Sequence, residues 1–380
     1  VPNDPLWNSQ YGLPLIQANL AYDFWDIDGG EIPGQMDDGE IVVAVVDDAL
    51  DWDHPDLVDN LWQNLGEDAD GDGVVIVQSG STWIFDPDDE DGIDNDEDGY
   101  VDNFIGWDVQ SNDNDPIHPD ASYGHGTNVA GCVSASTNNN TSIASVGWSV
   151  KIMAFRCSNN PDYITTGWEG ILSAAQMGAN VINCSWGSFS GGNQSIINAA
   201  YNSYGSIIVA SSGNGGDNGN TNFDLHYPSG LENVISVSAI GTNDNFSCWA
   251  TAGETVDLCA PGENIRTTSV GGGTVNVWGT SFSSPMTAGA VALLWSKYPS
   301  APKEWIEEII IGSTDEFSDM YGSCQGNSLE GMLGSGRLNI YNAILFADSL
   351  LSPSLLIDEI NYLNDSDGDG VFNPGEQVRV

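Results

Sequence analysis

The clearest indication of secondary structure in this chain is the stretch Ile41-Val42-Val43-Ala44-Val45-Val46-Asp47. It is a continuous apolar run, rich in β-branched residues, and it ends in a carboxylate. Such a run is typical of a strand that is buried on both faces of a parallel sheet. Similar runs recur downstream and alternate with segments of helical spacing. This alternation predicts an α/β fold, a three-layer sandwich with a mostly parallel central sheet flanked by helices.

The predicted elements follow one another along the rest of the chain. Strands are predicted at 150–155, 181–184 and 206–210, and helices at 168–177, 196–204, 281–297, 302–311 and 338–346. Gly178 is expected to end the helix at 168–177, because glycine readily adopts the left-handed conformation at a helix C-terminus. Polar residues cluster where the strands end, which is the usual place for a functional site in an open α/β sheet.

The composition limits the partners that the chain can have. Its 380 residues include 7 Lys and Arg against 55 Asp and Glu, which gives a formal net charge of −48. Unaided nucleic-acid binding is not expected, because neutralising phosphates requires basic side chains. No membrane partner is expected either, because no apolar run approaches the ~20 residues of a membrane span. The acidic surface is suited to salt or calcium, and a marine or salt-loving origin is one interpretation.

The two ends of the chain suggest a processed protein with more than one module. The first residues, Val1-Pro2-Asn3-Asp4, contain no Met, basic segment or apolar signal region, which favours a secreted protein whose signal peptide has been removed. Residues 1–347 are expected to form the main domain, with an acidic insertion at about 64–120. The composition changes after that domain, and residues 348–380 are interpreted as a linker and the truncated start of a C-terminal module.

The six cysteines do not determine their own pairing. Cys248 and Cys259 lie closest in sequence and frame a short segment that is compatible with a hairpin turn, so we predict a disulfide between them. Cys157 and Cys184 lie on apolar runs and are interpreted as buried thiols. The chain has no CxxC motif, so zinc or redox chemistry is not indicated.

Three acidic loops follow the spacing of calcium-binding loops, with oxygen ligands at alternate positions and glycine at the sixth position. The candidate ligands are Asp94, Asp96, Asp98, Tyr100 and Asp102 in one loop, Asp365, Asp367, Asp369, Val371, Asn373 and Glu376 in another, and Asp68, Asp70 and Asp72 in a shorter third. A glutamate at the twelfth position is present only in the loop at 365–376. An acidic solvated turn is the alternative for each loop, and for the third it remains fully open. Clustered carboxylates repel one another unless a cation lies between them, so Ca²⁺ would order the insertion.

Four separate segments carry polar residues suited to nucleophilic catalysis. Asp47 ends the apolar strand, and His125 lies within Gly124-His125-Gly126-Thr127-Asn128 near the start of a predicted helix. Ser281 follows Gly279-Thr280 at a helix N-terminus, where backbone N–H groups favour developing negative charge. Asn214 follows the strand-end segment Ser211-Ser212-Gly213. Taken singly, each residue is compatible with a turn or a helix cap, but their joint presence indicates a serine, histidine and aspartate triad.

The order of Asp47, His125 and Ser281, with these flanking residues, resembles that of the subtilisin-like serine proteases, the subtilases. The resemblance spans about residues 1–347 and includes further motifs. These are Val46-Asp47, His54-Pro55-Asp56-Leu57, Asn183-Cys184-Ser185-Trp186-Gly187 and Ser212-Gly213-Asn214. The resemblance implies a secreted, calcium-stabilised serine endopeptidase that hydrolyses peptide bonds in proteins through an acyl-enzyme. It also implies a monomer and a cleaved propeptide that acts as an intramolecular chaperone and inhibitor.

The resemblance assigns a role to each residue. Ser281 would be the nucleophile, His125 the general base and later the general acid, and Asp47 the group that orients the imidazole. The Asn214 side chain and the Ser281 backbone N–H would form the oxyanion hole. Substrate would pair as an added strand with the segments that line the pocket for the P1 residue, the residue before the cleaved bond. These pocket residues are Ser185, Trp186, Gly187, Ser211, Ser212 and Gly213.

Departures from the family pattern leave the specificity open. Asp48-Ala49 follows Asp47 where most members have Thr or Ser and then Gly, and Asn128 stands where most have His. Asp48, together with Cys184-Ser185-Trp186-Gly187, is similar to the kexin-like processing branch, in which the extra Asp helps to bind a basic residue of the substrate. The acidic residues that kexins carry after this Trp-Gly are replaced by Ser188-Phe189-Ser190. Broad specificity and kexin-like basic specificity are therefore both open, and a noncatalytic calcium-binding protein that retains the fold is the alternative from another class.

Overall fold

The apolar run that ends in Asp47 forms an inner strand of a seven-stranded sheet. A computed structural model describes residues 1–118, 120, 123–160, 162–215, 225–351, 361–362 and 378–379. The strands are β1 (Val42–Asp47), β2 (Ile76–Ser79), β3 (Thr82–Phe85), β4 (Gly106–Asp108), β5 (Lys151–Arg156), β6 (Val181–Cys184), β7 (Ile207–Ser211), β8 (Val234–Ile240), β9 (Leu258–Pro261), β10 (Ile265–Ser269), β11 (Gly273–Val277), β12 (Ser323–Cys324), β13 (Asn327–Ser328), β14 (Asn361–Tyr362) and β15 (Val378–Arg379). The central sheet has the order β4-β5-β1-β6-β7-β8-β9, and every neighbouring pair in it is parallel.

Helices cover both faces of this sheet. They are α1 (Gly12–Leu15), α2 (Ala18–Ala21), α3 (His125–Ser134), α4 (Gly167–Gln176), α5 (Gln194–Asn198), α6 (Thr280–Lys297), α7 (Lys303–Gly312) and α8 (Ile340–Leu351). A π-helix, Ala199–Tyr204, continues α5, and short 3₁₀ helices occur at Trp7–Ser9, Tyr22–Phe24, Ile27–Gly29, Val58–Asn60 and Leu65–Glu67. None of the helices in the described part of the chain combines the length and apolar character needed to cross a membrane.

The side chains of β1 alternate between two hydrophobic cores. Val43 and Val45 pack in the larger core, which includes residues of α3 and α6, and Val42, Ala44 and Val46 pack in the core that includes residues of α4. Every residue of β1 is buried. Because successive strand side chains point to opposite faces, a continuous apolar run is required wherever both faces are covered. The expected three-layer α/β architecture is confirmed.

The predicted elements agree with the observed ones to within a few residues. The strand predicted at 181–184 coincides with β6, and α6 begins one residue before its predicted start at 281. Gly178 has a φ of +86° directly after α4, as a helix-ending glycine requires. The sequence does not predict β4, β8 or β9. With three residues, β4 is too short to give a recognisable apolar run. A loop, rather than a helix, joins β8 to β9, so the alternation of strands and helices that indicates the other strands is missing there.

The acidic insertion is more ordered than a solvated loop. Its residues form the β2–β3 hairpin, and its end contributes β4, the edge strand of the central sheet beside β5. The Asp108 carboxylate at the end of β4 forms a buried ion pair with Arg156 at the end of β5. The insertion is therefore anchored to the sheet at its C-terminal end.

The predicted Cys248–Cys259 disulfide is wrong. Cys248 pairs with Cys324, with their Cα atoms 5.7 Å apart, and the Cys259 thiol is free and buried in the core within β9. The segment between residues 248 and 259 is not a hairpin, because it belongs to the crossover between the parallel strands β8 and β9. Cys157 and Cys184 are free and buried, as expected.

Candidate active site

The candidate catalytic residues lie together at the carboxyl ends of the parallel strands, where functional sites of open α/β sheets are usually found. Asp47 is the last residue of β1, and Ser185 and Asn214 follow the ends of β6 and β7. His125 and Ser281 lie at the N-terminal ends of α3 and α6. Four of these five residues, all except Asn214, line one cleft of about 570 Å³. Residues that are far apart in sequence thus face a common space.

Asp47 fixes the orientation and the tautomer of His125. The Nδ1 atom of His125 lies 2.8 Å from Oδ1 of Asp47, whose side chain is 1 % exposed. Donation from Nδ1–H to this carboxylate leaves the lone pair on Nε2, which is the atom a general base needs. Oδ2 of Asp47 is buried and has no hydrogen-bond partner among the described residues.

Charges around His125 decide its proton affinity. Burial lowers the pKa of the imidazole, but the negative charge of Asp47, its hydrogen bond and the charge of Asp48 outweigh that effect and raise the pKa to about 9. The imidazole keeps 36 % of its surface exposed, so water screens part of this attraction. The arrangement therefore favours the protonated imidazolium, the form that appears after a general base has taken a proton.

Asp48 caps the helix that carries His125. Its carboxylate accepts hydrogen bonds from the backbone N–H groups of Ala49, His125 and Gly126 at 2.7, 3.2 and 2.8 Å. Burial and the neighbouring Asp47 raise the pKa of Asp48 to about 6. Gly126 allows this close approach, since a Cβ there would lie 2.2 Å from the Ala49 carbonyl oxygen. Asp48 also lines the cleft, and its role in substrate binding stays a prediction.

Ser281 lies in the first turn of α6 and is held by Ser185. The Ser281 hydroxyl donates to the Ser185 carbonyl at 3.0 Å, and the Ser185 hydroxyl donates to the Ser281 carbonyl at 2.7 Å. That second bond has a sequence origin. Pro285 has no N–H to donate to the carbonyl four residues earlier, so the Ser281 carbonyl needs another donor.

Asn214 is oriented by Thr280. The Asn214 carbonyl oxygen Oδ1 accepts from the Thr280 backbone N–H at 3.1 Å and from the Thr280 hydroxyl at 3.0 Å. Since Oδ1 is engaged as an acceptor, the Nδ2 amide is the end of the side chain that can donate. An added Cβ at Gly279, beside Ser281, would lie 3.5 Å from this Nδ2 atom. Asn214 therefore places a donor next to the start of α6.

The residues predicted to line the P1 pocket form two walls, 185–187 and 211–213. Contacts to the sheet and to α6 hold both walls in place. The indole N–H of Trp186 donates to the Val46 carbonyl at 2.9 Å, and the Gly213 N–H donates to the Thr280 hydroxyl at 3.2 Å. Between the walls lies His226, a residue that the sequence does not single out. The only signal for it would have been an isolated histidine after a polar loop, and such a histidine is uninformative without the fold.

The two described acidic loops share one pattern of hydrogen bonds. In each loop the first Asp accepts from the backbone N–H groups four and five residues later, and the third-position Asp accepts from the N–H two residues later. Carboxylate oxygens of Asp68, Asp70 and Asp72 lie within 4.8 Å of one another, as do those of Glu67, Asp94 and Asp96. Asp98 accepts from Tyr100 N–H, whereas Asp102 turns away and accepts from Gly92 N–H. The third predicted loop, residues 365–376, lies outside the described residues.

Two acidic side chains near these loops are missed by the sequence pattern. Glu67 is fully buried and accepts from the backbone N–H groups of Asn95, Asp96 and Asp102. Asp89 is also fully buried; its Oδ1 accepts from Ala69 and Asp70 N–H, while its Oδ2 has no partner among the described residues. A buried carboxylate oxygen without a donor beside other carboxylates fits a site for a cation with oxygen ligands.

Comparisons with known proteins give the family that the chain resembles. Residues 38–336 match the subtilase family. The chain is 32 % identical over 352 residues to thermitase from Thermoactinomyces vulgaris, covering 91 % of this chain and 99 % of thermitase. It is 31 % identical over 350 residues to a thermophilic serine proteinase from Bacillus sp. strain AK1, covering 91 % and 69 % of the two chains.

Two more distant similarities extend the comparison. A halolysin-like extracellular serine protease, Nep, from Natrialba magadii is 26 % identical over 311 residues, which is 81 % of this chain and 48 % of that protein. A solved structure of a protease from Pseudoalteromonas arctica superposes with a TM-score of 0.62 at 24 % identity, covering 91 % of this chain and 99 % of the other. This structural likeness supports the same fold.

Proposed function

This chain belongs to the subtilase family and is a serine endopeptidase, and we propose that Asp47, His125 and Ser281 form its catalytic triad. The observation that carries the proposal is the 2.8 Å bond between Asp47 and the His125 imidazole, in a cleft that Ser281 also lines. A buried carboxylate that holds a histidine beside a serine at a helix N-terminus is the arrangement needed to activate a hydroxyl.

The proposed reaction begins with the Ser281 hydroxyl. It leaves its bond to the Ser185 carbonyl, gives its proton to Nε2 of His125 and attacks the carbonyl carbon of the peptide bond. The imidazolium then protonates the leaving amine as the C–N bond breaks, which yields an acyl-enzyme. Water repeats the sequence: His125 takes a proton from water, hydroxide adds to the ester, and the proton returns to Ser281 as the acid product leaves. Asp47, hydrogen-bonded to Nδ1, stabilises each imidazolium.

Negative charge on the substrate oxygen would be stabilised by two donors. One is the Nδ2 amide of Asn214, and the other is the Ser281 backbone N–H in the first turn of the 18-residue helix α6. The free N–H groups and the dipole of the helix N-terminus add to this effect. Removing one such donor costs ~10²–10³ in turnover in the related subtilisin, from which this magnitude is taken.

We propose that Ca²⁺ holds the acidic insertion in place. In one loop the ligands would come from Asp94 and Asp96 with the buried Glu67, which lies within 4.8 Å of both, and from Asp98 and the Tyr100 carbonyl. In the other loop they would come from Asp68, Asp70 and Asp72 with the buried Asp89. Every proposed ligand atom is an oxygen, the ligand type that Ca²⁺ selects. The ion would supply positive charge that the insertion lacks, because residues 64–120 contain no Lys or Arg.

Further parts of the proposal concern the location, oligomeric state and domain organisation of the protein. An extracellular role is supported by similarity to the protease Nep, whose name describes it as extracellular. We also propose that the protein is a monomer whose folding a propeptide assists. Residues 1–347 would form the catalytic domain, and residues from 348 onward would form a linker and part of a separate module.

Mapping of cleavage sites tests the proposed function. The protein is incubated in calcium with a mixed peptide library, and every cut is identified by mass spectrometry. Ser281→Ala is the control, checked by circular dichroism for an unchanged fold. Cuts that are absent from the control support the proposal, and a preference for Lys or Arg would support the kexin-like alternative. Equal cleavage by the control would show that the triad is wrongly assigned.

A further inference from the structure

We propose that His226 closes the P1 pocket and restricts this protease to cleavage after small residues such as Gly, Ala and Ser. The inference rests on the proposed function, because it uses the pocket walls next to Ser281. It concerns a side chain that lies between those walls, at a place where a substrate side chain would enter.

The first observation is the close fit between His226 and the two glycines of the pocket walls. A Cβ on Gly187 would lie 2.2 Å from Cε1 of the imidazole, and a Cβ on Gly213 would lie 2.9 Å from its Cδ2. Both distances are far below a normal contact between non-bonded carbon atoms. The ring therefore touches the backbone of both walls, and it fills the gap in which a P1 side chain would lie.

The second observation is that the ring is held in place. Nδ1 of His226 lies 3.4 Å from the Ser229 hydroxyl, which also donates to the His226 carbonyl at 3.1 Å. The imidazole and the Phe189 ring pack in a T-shaped arrangement, with ring centroids 5.3 Å apart. The residue next to it, Tyr227, pairs by two backbone hydrogen bonds with Ser188 of the first wall. The side chain is 8 % exposed, so it behaves as part of the wall rather than as a mobile gate.

The third observation is a cavity beyond the ring. A pocket of about 300 Å³ is lined by His226, Ser212, Ser229 and residues 251–256. The catalytic cleft is lined by Gly187, Ser188 and Tyr227. His226 contacts Gly187 and also lines the second pocket, so its ring separates the two spaces. Removing the ring would join the two spaces into one deeper pocket that could take a large P1 side chain.

The ring also provides no charge for selecting a basic substrate. Burial lowers the pKa of His226 to about 4, so the imidazole is neutral at neutral pH. A neutral ring in contact with two backbone segments excludes by size, which makes the volume of the P1 side chain the expected basis of discrimination.

The test measures kcat/KM for peptides that differ only at P1, with Ala, Leu, Phe and Arg compared. The intact protein is expected to prefer Ala over Phe by about tenfold or more. His226→Ala is expected to raise the relative kcat/KM for Phe by at least about tenfold, with cleavage after Ala little changed. His226→Leu retains a side chain of similar size and should keep the preference for Ala. Tyr321→Ala removes an exposed aromatic ring elsewhere, in a residue 60 % exposed, and should change nothing.

The possible results separate this inference from the proposed function. Efficient cleavage after Phe by the unaltered protein, or an unchanged ranking in a folded His226→Ala variant, would overturn the closed pocket while leaving the protease intact. Absence of Ser281-dependent cleavage of any peptide would instead overturn the proposed function. Thermal melting and titration of the active serine show whether each variant is folded, and the P1 residues cut by the unaltered protein decide the matter if His226→Ala does not fold.

Discussion

The catalytic cleft and the acidic insertion both concentrate carboxylates, but they stabilise them differently. In the cleft, Asp47 and Asp48 are buried and their charge meets an imidazole and the N–H groups at the start of α3. In the insertion, the carboxylates accept mainly from backbone N–H groups of their own loops, and residues 64–120 contain no Lys or Arg. Each region keeps one buried carboxylate oxygen without a partner among the described residues, Oδ2 of Asp47 in the cleft and Oδ2 of Asp89 in the insertion. The difference supports the proposal that the protein's own imidazole balances the charge of the cleft, whereas an added cation would balance the charge of the insertion.

The largest expected effect separates the two neighbouring carboxylates of the cleft. Asp47→Asn should lower kcat by ~10⁴, the magnitude known for the same triad on an unrelated fold, because the amide can donate to Nδ1 and so favours the wrong tautomer. Asp48→Asn keeps an oxygen acceptor for the helix cap and should cost far less. Steady-state kinetics on one peptide substrate measures both. Losses of equal size would contradict the division of roles between these residues.

The oxyanion donor should give the next largest effect. Asn214→Ala is expected to lower kcat by ~10²–10³ while KM stays nearly constant, because the lost hydrogen bond is made to charge that develops in the transition state. Thr280→Val keeps the size of the residue that orients Asn214 but removes its hydroxyl, and it should show a smaller loss in the same direction. A rise in KM with unchanged kcat would instead place Asn214 in ground-state binding.

Removal of calcium should affect stability through the insertion and leave the chemistry of the cleft intact. If free Ca²⁺ is at 100 times its Kd, its removal should cost about 2.7 kcal/mol of folding free energy. Thermal melting with and without a chelator measures this, and Mg²⁺ at equal ionic strength serves as the control. Asp89→Asn should reduce the effect of calcium, whereas the exposed Asp37→Asn should not. A melting curve that does not respond to calcium would contradict the comparison between the two regions.

The smallest expected effect is on the pH profile. His125 must be neutral to act as a base, so a pKa raised above its ordinary 6.5 places the rise of kcat/KM at alkaline pH. Asp48, with a pKa of about 6, is ionised at alkaline pH, and its negative charge helps to raise the pKa of His125. Asp48→Asn removes the charge, so the pKa of His125 should fall and the rise should move to lower pH. A shift to higher pH would show that Asp48 acts on His125 in another way.

Much of the fold follows from local sequence patterns. The apolar run of β1, the boundaries of β6 and the glycine after α4 are predicted because they depend on neighbours a few residues away. The residues proposed for the triad are also recognised from the sequence, since each lies in a short motif at the end of a strand or the start of a helix. These features need no knowledge of distant contacts.

The tertiary structure decides what depends on residues brought together from far apart. It pairs Cys248 with Cys324 across 76 positions, although Cys259 is closer in sequence. It places Asp89 beside the loop that begins at Asp68, and it sets His226 between two glycines that are themselves distant in the chain. Sequence patterns show the periodicity of each secondary-structure element. Pockets, disulfides and buried carboxylates without partners depend on how distant segments pack together, which only the folded chain determines.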